Sequence, residues 1–287
     1  MSILLDETYH GLKQLQDQGL QILTQEPEHV VNMGVLNLMP QAECYELELL
    51  KAFSKVTACV RPVWLRVETH GYRSSNPEII KNYKPYFQSP HSIHGLIVTG
   101  APVEHLPFDD VSYWAELQGI LNHAREHIAY SLGICWGGLA MARILGLNKE
   151  VFPKKQFGVF HTSNLDENHP LGRALSSRFH CPVSTHAGIG DDVWEEAEQK
   201  GMARLLAYSP KIGYLIAESA DGRFLMHFGH PEYGALRLPE EFKRDVARGK
   251  TDVEPPENVD LSKPENLWEN DAASFFEELV TRCSGAL

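Results

Sequence analysis

Cys135 closes the apolar run Ser131-Leu132-Gly133-Ile134 and is followed at once by Trp136-Gly137-Gly138 and the helical stretch Leu139 to Leu145. That order predicts a sharp strand-to-helix turn, with glycines relieving crowding and the helix amino end placed to favour a thiolate. A core cysteine before a softened helix is the plain alternative, and glycines on both sides of the strand end speak against it. A nucleophilic cysteine needs a base. Phe228-Gly229-His230-Pro231-Glu232-Tyr233 supplies one directly after the apolar run Phe224 to Phe228, and the His-x-Glu spacing suits a turn in which Glu232 holds the far nitrogen of His230. The small residues of Thr99-Gly100-Ala101-Pro102 end a third apolar run. There an amide of Gly100 or Ala101 can join that of Trp136 as an oxyanion hole. The chemistry these groups suit is acyl transfer, with Cys135 as nucleophile, His230 as base and Glu232 as the orienting carboxylate.

Cys135 and His230 lie far apart in the chain, so the elements between them must bring two strand ends together. Asp6 to Leu23, with Leu12, Leu15, Ile22 and Leu23 near helical spacing, predicts an amphipathic lead-in helix. Val30 to Asn37 predicts a buried strand, Ala42 to Phe53 a helix and Val60 to Val67 a second strand, while polar Thr69 to Pro90 predicts a long surface connection with one helical turn. Gly95 to Gly100, Val111 to His127 and Ile128 to Ile134 continue the alternation as strand, helix and strand. Such alternation predicts an α/β fold: a mostly parallel central sheet with helices on both faces and the site at the carboxyl ends of the strands. Beyond Gly146, Gly158 to Phe160, Ile212 to Glu218 and Phe224 to Phe228 are strand candidates of more antiparallel character. Asp252 to Pro264 is a loop before a helix near Trp268 to Arg282. A single domain over residues 1–287 is expected, with 1–28 as the helical lead-in and 252–287 as the C-terminal loop and helix.

A formal net charge of −12 with no basic run argues against a nucleic-acid partner. Residues 1–24 lack the pattern of a signal peptide and no stretch approaches a membrane span, so no membrane association is expected. Cys44, Cys59, Cys135, Cys181 and Cys283 are an odd, widely spaced set, which fits a reducing cytoplasm better than a disulfide framework. The same spacing offers no CxxC pair for zinc, and the histidines are expected as surface or core residues, so no metal site and no permanently bound cofactor are expected.

The elbow Gly-Ile-Cys-x-Gly with a later His-x-Glu resembles the class I glutamine amidotransferase superfamily. A closer resemblance is to one branch of it, the homoserine O-succinyltransferase and O-acetyltransferase family of methionine biosynthesis. Asn37-Leu38-Met39-Pro40, Leu96 to Pro102, Tyr113-Trp114, Cys135-Trp136, Gly158-Val159-Phe160 and Gly229 to Tyr233 carry it, in the family's order, from about Val30 to the C terminus. The resemblance implies a ping-pong transferase in which Cys135 accepts the acyl group, His230 is the base and Glu232 its partner. Lys155 and Ser184 fall where the family lines its amino-acid pocket, and Arg244 where it grips the substrate carboxylate, a role a guanidinium fork suits. Glu104 stands where acetyl-users carry glutamate, a charge that would repel a succinyl group, so acetyl-CoA is the implied donor and homoserine the implied acceptor. The implied partners are these small molecules, with a homodimer also in view. Departures are Gln41 and Ala42 after the Asn-Leu-Met-Pro segment, Tyr45 before the retained Glu46, Leu139 for glutamine, Val183 for histidine, and Glu269-Asn270-Asp271 in place of Arg-Ser-His. These put the acceptor in question, with serine, as in cysteine biosynthesis, as the alternative. A glutaminase-like hydrolase and a non-catalytic binding protein are the rivals outside the transferases.

Overall fold

A computed structural model describes residues 2–73, 75–89, 91–250 and 253–285. The elements run β1 Ser2–Leu4, α1 Leu12–Asp17, β2 Ile22–Leu23, β3 Val31–Leu36, α2 Ala42–Phe53, β4 Cys59–Arg66, α3 Pro77–Ile80, β5 Lys84–Pro85, β6 Gly95–Val98, α4 Trp114–His127, β7 Tyr130–Ile134 and α5 Trp136–Ile144. They continue as β8 Glu150–Asn164, α6 Pro170–Ala174, β9 Arg178–Gly188, α7 Asp191–Gln199, β10 Ala203–Ser209, β11 Gly213–Ser219, β12 Phe224–His227, α8 Arg237–Ala247 and α9 Glu269–Ser284. The strands form one sheet in the order β2-β1-β4-β3-β6-β7-β12-β11-β10-β8-β9, with β5 beside β4. From β2 to β12 every pairing is parallel, and from β12 to β9 every pairing is antiparallel.

Register does the positioning. Val35 pairs with Ile97, Ile97 with Leu132 and Ile134 with His227, so β3, β6, β7 and β12 end side by side. These strands are buried along their whole length. They therefore read in sequence as continuous apolar runs rather than alternating ones, as expected for a sheet covered on both faces. Among the described residues no helix is long and apolar enough to cross a membrane.

Two expectations change. The N-terminal segment is not one helix: α1 has six residues, and β1 and β2 on either side of it extend the parallel sheet beyond β4. Strands of two or three residues are too short to leave a periodic pattern. The connection from Thr69 onward is not purely a surface loop, because Tyr72, Tyr83 and Tyr86 are buried. Its anchor is the fully buried Glu46 of α2, which accepts hydrogen bonds from Tyr9 (2.5 Å) and Tyr83 and lies 3.3 Å from His10. Burial raises this carboxyl to about 7 against the pull of the two phenols, so Glu46 acts as a clasp joining the first segment, α2 and the connection.

The altered residues near the C terminus dock α9. Glu269 meets Lys55 at 2.6 Å, and Asp271 accepts the Ser176 amide at 2.8 Å. Both acids lie in the first turn of α9, where the exposed amides favour negative charge.

Candidate active site

Cys135 sits between β7 and α5 with φ 51° and ψ −113°, a conformation costing a non-glycine residue roughly 1–3 kcal/mol. The turn closes only because residue 137 lacks a side chain: a β-carbon there would fall 2.2 Å from the Val98 carbonyl oxygen. The Cys135 amide donates to the His227 carbonyl (2.7 Å), which ties the elbow to the end of β12. Trp136, fully buried, holds the first turn of α5 against Phe108, Tyr113 and Trp114, which accounts for the Tyr113-Trp114 pair. Its amide is among those that begin a helix with no intrahelical acceptor. Gly100 flanks the thiol, since a β-carbon there would lie 3.6 Å from that of Cys135, and Ala101 follows it, nearly buried.

His230 reaches the same place from the turn after β12, its amide donating to the Pro182 carbonyl at 2.8 Å. Its Nδ1 is 2.7 Å from Glu232 Oε1, and its ring is close enough to the Cys135 sulfur for the two to be electrostatically coupled. The ring stacks on Tyr233 with centroids 4.0 Å apart. Burial disfavours a charged imidazole here, yet the charge on Glu232 and then that on Cys135 outweigh it and raise His230 to about 10. Nearby His227 goes the other way: burial, and then repulsion from His230, push it down to about 3, and its Nδ1 accepts the Gly229 amide. Two buried imidazoles thus keep opposite charge states.

The raised His230 links stability to pH. Its contribution is complete below the ordinary histidine value near 6.5 and is lost as pH climbs toward about 10. Wild-type protein is expected to lose its melting-temperature advantage over His230→Gln between pH 7 and pH 10, as paired thermal melts would register. A gap that widens with pH would contradict the imidazolium assignment.

The predicted pocket residues converge beside this dyad. The Cys135 sulfur lies 3.9 Å from the Ser184 carbonyl oxygen, and the Ser184 hydroxyl donates to Glu241 Oε1 at 2.7 Å. Lys155 Nζ is 2.6 Å from that same oxygen and 3.8 Å from Asp245 Oδ2. Arg244 Nε meets Asp245 at 3.1 Å, and its outer nitrogen lies 3.5 Å from Glu241. Glu104 lies in the loop after β6, where its backbone oxygen accepts from Lys149 at 2.6 Å. Leu139 and Val183, the exchanged positions, are both buried, and Gln41 takes a left-handed conformation (φ 54°) before α2, whose first residue, Ala42, is fully buried.

Three residues that touch this constellation, Tyr45, Glu241 and Asp245, were not read from the sequence. Tyr45 donates its hydroxyl to Glu232 Oε1 at 2.9 Å, giving the orienting carboxylate a second partner. Glu241 and Asp245 hold Lys155 and Arg244. Their signal was the spacing Glu241, Arg244, Asp245, which sets three charges on one face of a helix.

The model of the family "Homoserine O-succinyltransferase" matches residues 2–283. A homoserine O-acetyltransferase of Geobacillus kaustophilus is 35% identical over 256 residues, covering 86% of this chain and 83% of the relative. Another from Petrotoga mobilis is 34% identical over 266 residues, covering 90% and 85%. Among solved structures, a glutamine amidotransferase from Thermotoga maritima superposes with TM-score 0.54 at 14% identity, covering 90% of this chain and 97% of that one. A glutamine amidotransferase from Methylobacillus flagellatus gives 0.54 at 13%, covering 90% and 94%. At such identities these two speak for the fold alone.

Proposed function

The chain belongs to the homoserine O-succinyltransferase family, and from that membership we propose that it moves an acetyl group from acetyl-CoA to the side-chain hydroxyl of homoserine. The observation that carries the mechanism is the placement of Cys135 and His230 at the neighbouring ends of β7 and β12, with Glu232 bonded to His230 Nδ1 and Cys135 coupled to the same ring. In the first half-reaction the Cys135 thiolate attacks the thioester carbonyl, the bond from that carbon to the CoA sulfur breaks, and the departing thiolate takes the proton from His230. In the second, the acceptor hydroxyl attacks the acetyl-cysteine while His230 removes its proton, and Cys135 leaves as thiolate. The Trp136 amide, with one from Gly100 or Ala101, faces the negative oxygen formed in each step.

Charge balance supports an amino-acid acceptor. Lys155, Arg244 and Lys250 gather around two carboxylates, Glu241 and Asp245, so one more carboxylate finds unspent positive charge there. Acetyl as the donor group rests on Glu104 and on the names of the relatives. A reducing compartment, the cytoplasm, suits a mechanism that needs a free thiol, and all five cysteines are free thiols.

The test pairs acetyl-CoA and succinyl-CoA with homoserine and serine, with glutamine as a hydrolysis control. Acetyl transfer to homoserine is expected, and with acceptor withheld the protein should gain the mass of one acetyl group at Cys135. Faster turnover of serine would move the acceptor, ammonia from glutamine would replace transfer by hydrolysis, and a protein never acylated would end the proposal.

A further inference from the structure

We propose that Glu104, His105 and His186 form a binding site for a zinc-class divalent cation beside the candidate active site. One donor atom from each lies within 4.8 Å of the others. Tetrahedral zinc, with bonds of about 2.0–2.1 Å, keeps its donors roughly 3.4 Å apart, so shifts on the order of 1 Å close the set around an ion. Burial does not oppose such shifts: His105 is exposed, and Glu104 and His186 are half-buried.

Two unrelated elements build this set. Glu104 and His105 sit in a loop drawn tight by hydrogen bonds from the Val103 amide to the Ala101 carbonyl (2.9 Å) and from the Leu106 amide to the Val103 carbonyl (3.0 Å). Lys149 pins the loop by donating to the Glu104 carbonyl and covering the Phe108 ring at 5.5 Å. His186 comes from β9, two residues beyond Ser184, and its ring lies 4.4 Å from that of His105 at 50°. Two imidazoles and one carboxylate select zinc over magnesium or calcium, which prefer all-oxygen shells, and three protein ligands leave a fourth position open. With neutral imidazoles the filled site carries one net positive charge where the empty one carries a negative charge, and it does so next to the pocket of Ser184 and Cys135.

The experiment uses Cys135→Ala protein, stripped with chelator, so that zinc cannot settle on the catalytic dyad. Zinc is titrated against a chromophoric chelator, and cobalt is added separately for its tetrahedral absorption bands. One equivalent should bind, at least about tenfold more weakly once His105→Ala or His186→Ala is added. His186→Cys, which replaces one zinc ligand by another, should retain binding and so separates a lost ligand from a damaged fold. Absence of binding in the Cys135→Ala protein, or unchanged affinity in both alanine variants, overturns the site. Neither result touches the acyl-transfer assignment, which is measured on wild-type protein without metal.

Discussion

If Cys135 is the nucleophile proposed, Cys135→Ala is expected to lower acyl transfer by at least about 10,000-fold, because removal of a nucleophile that acts as a unit with its base costs nearly the whole of the covalent route. The fold should survive. The side chain makes one long hydrogen bond, to the Ser184 carbonyl at 3.9 Å, and alanine keeps the backbone of the elbow as it is. A second readout separates lost chemistry from lost structure. Cys135 is one of the two groups that hold the His230 imidazolium, the other being Glu232, so the histidine's pKa should fall in the variant while staying above that of a histidine with no partner. Titration of the ring by NMR would follow it. Retained turnover, or an acetyl group captured on a different residue of the wild type, would remove Cys135 from the mechanism. A histidine titrating identically in both proteins would show instead that the sulfur and the ring do not communicate.

What could be read from the sequence divides by distance along the chain. The elbow at Cys135 was legible because its requirement is local: a strand end, a left-handed residue and a glycine two positions on. His230 and Glu232 were legible for the same reason, being two residues apart in a turn. Tyr45 was not, since its partner Glu232 lies 187 residues away and nothing near Tyr45 marks it as facing a carboxylate. Lys155 and Arg244 came from resemblance, while the carboxylates that neutralise them went unseen. A buried charge advertises its type in sequence but not its partner. In the fold, the buried strands β3, β6 and β7 stood out as apolar runs, whereas β9 and β10, whose residues mix with polar ones, did not. The connection holding Tyr72, Tyr83 and Tyr86 looked polar by composition because its three buried rings are set among many surface residues.

Lys155→Met is expected to destabilise the protein by about 3 kcal/mol, near the low end for breaking a buried ion pair. Lys155 and Glu241 are only 9% and 10% exposed, and removing the ammonium leaves the carboxylate with the Ser184 hydroxyl and the more distant, more exposed Arg244. Burial raises the Glu241 carboxyl, and Lys155 leads the groups that bring it below its ordinary value. Its stabilising contribution is therefore present at neutral pH and lost as pH falls through the depressed value, so the penalty in the variant should shrink in acid. Adding Glu241→Gln to Lys155→Met should restore most of the lost stability, because the amide keeps the Ser184 hydrogen bond without a buried charge. Chemical denaturation of the three proteins at pH 7 measures the coupling directly. An unfolding free energy for Lys155→Met within about 0.5 kcal/mol of wild type, a margin typical of surface substitutions, would sink the argument. The double variant also decides what Lys155 is for. If the lysine only neutralises Glu241, the restabilised double variant should bind the acceptor as wild type does. If it also holds the acceptor, KM for homoserine should stay high after stability has returned, while acylation of Cys135 by acetyl-CoA proceeds at its normal rate.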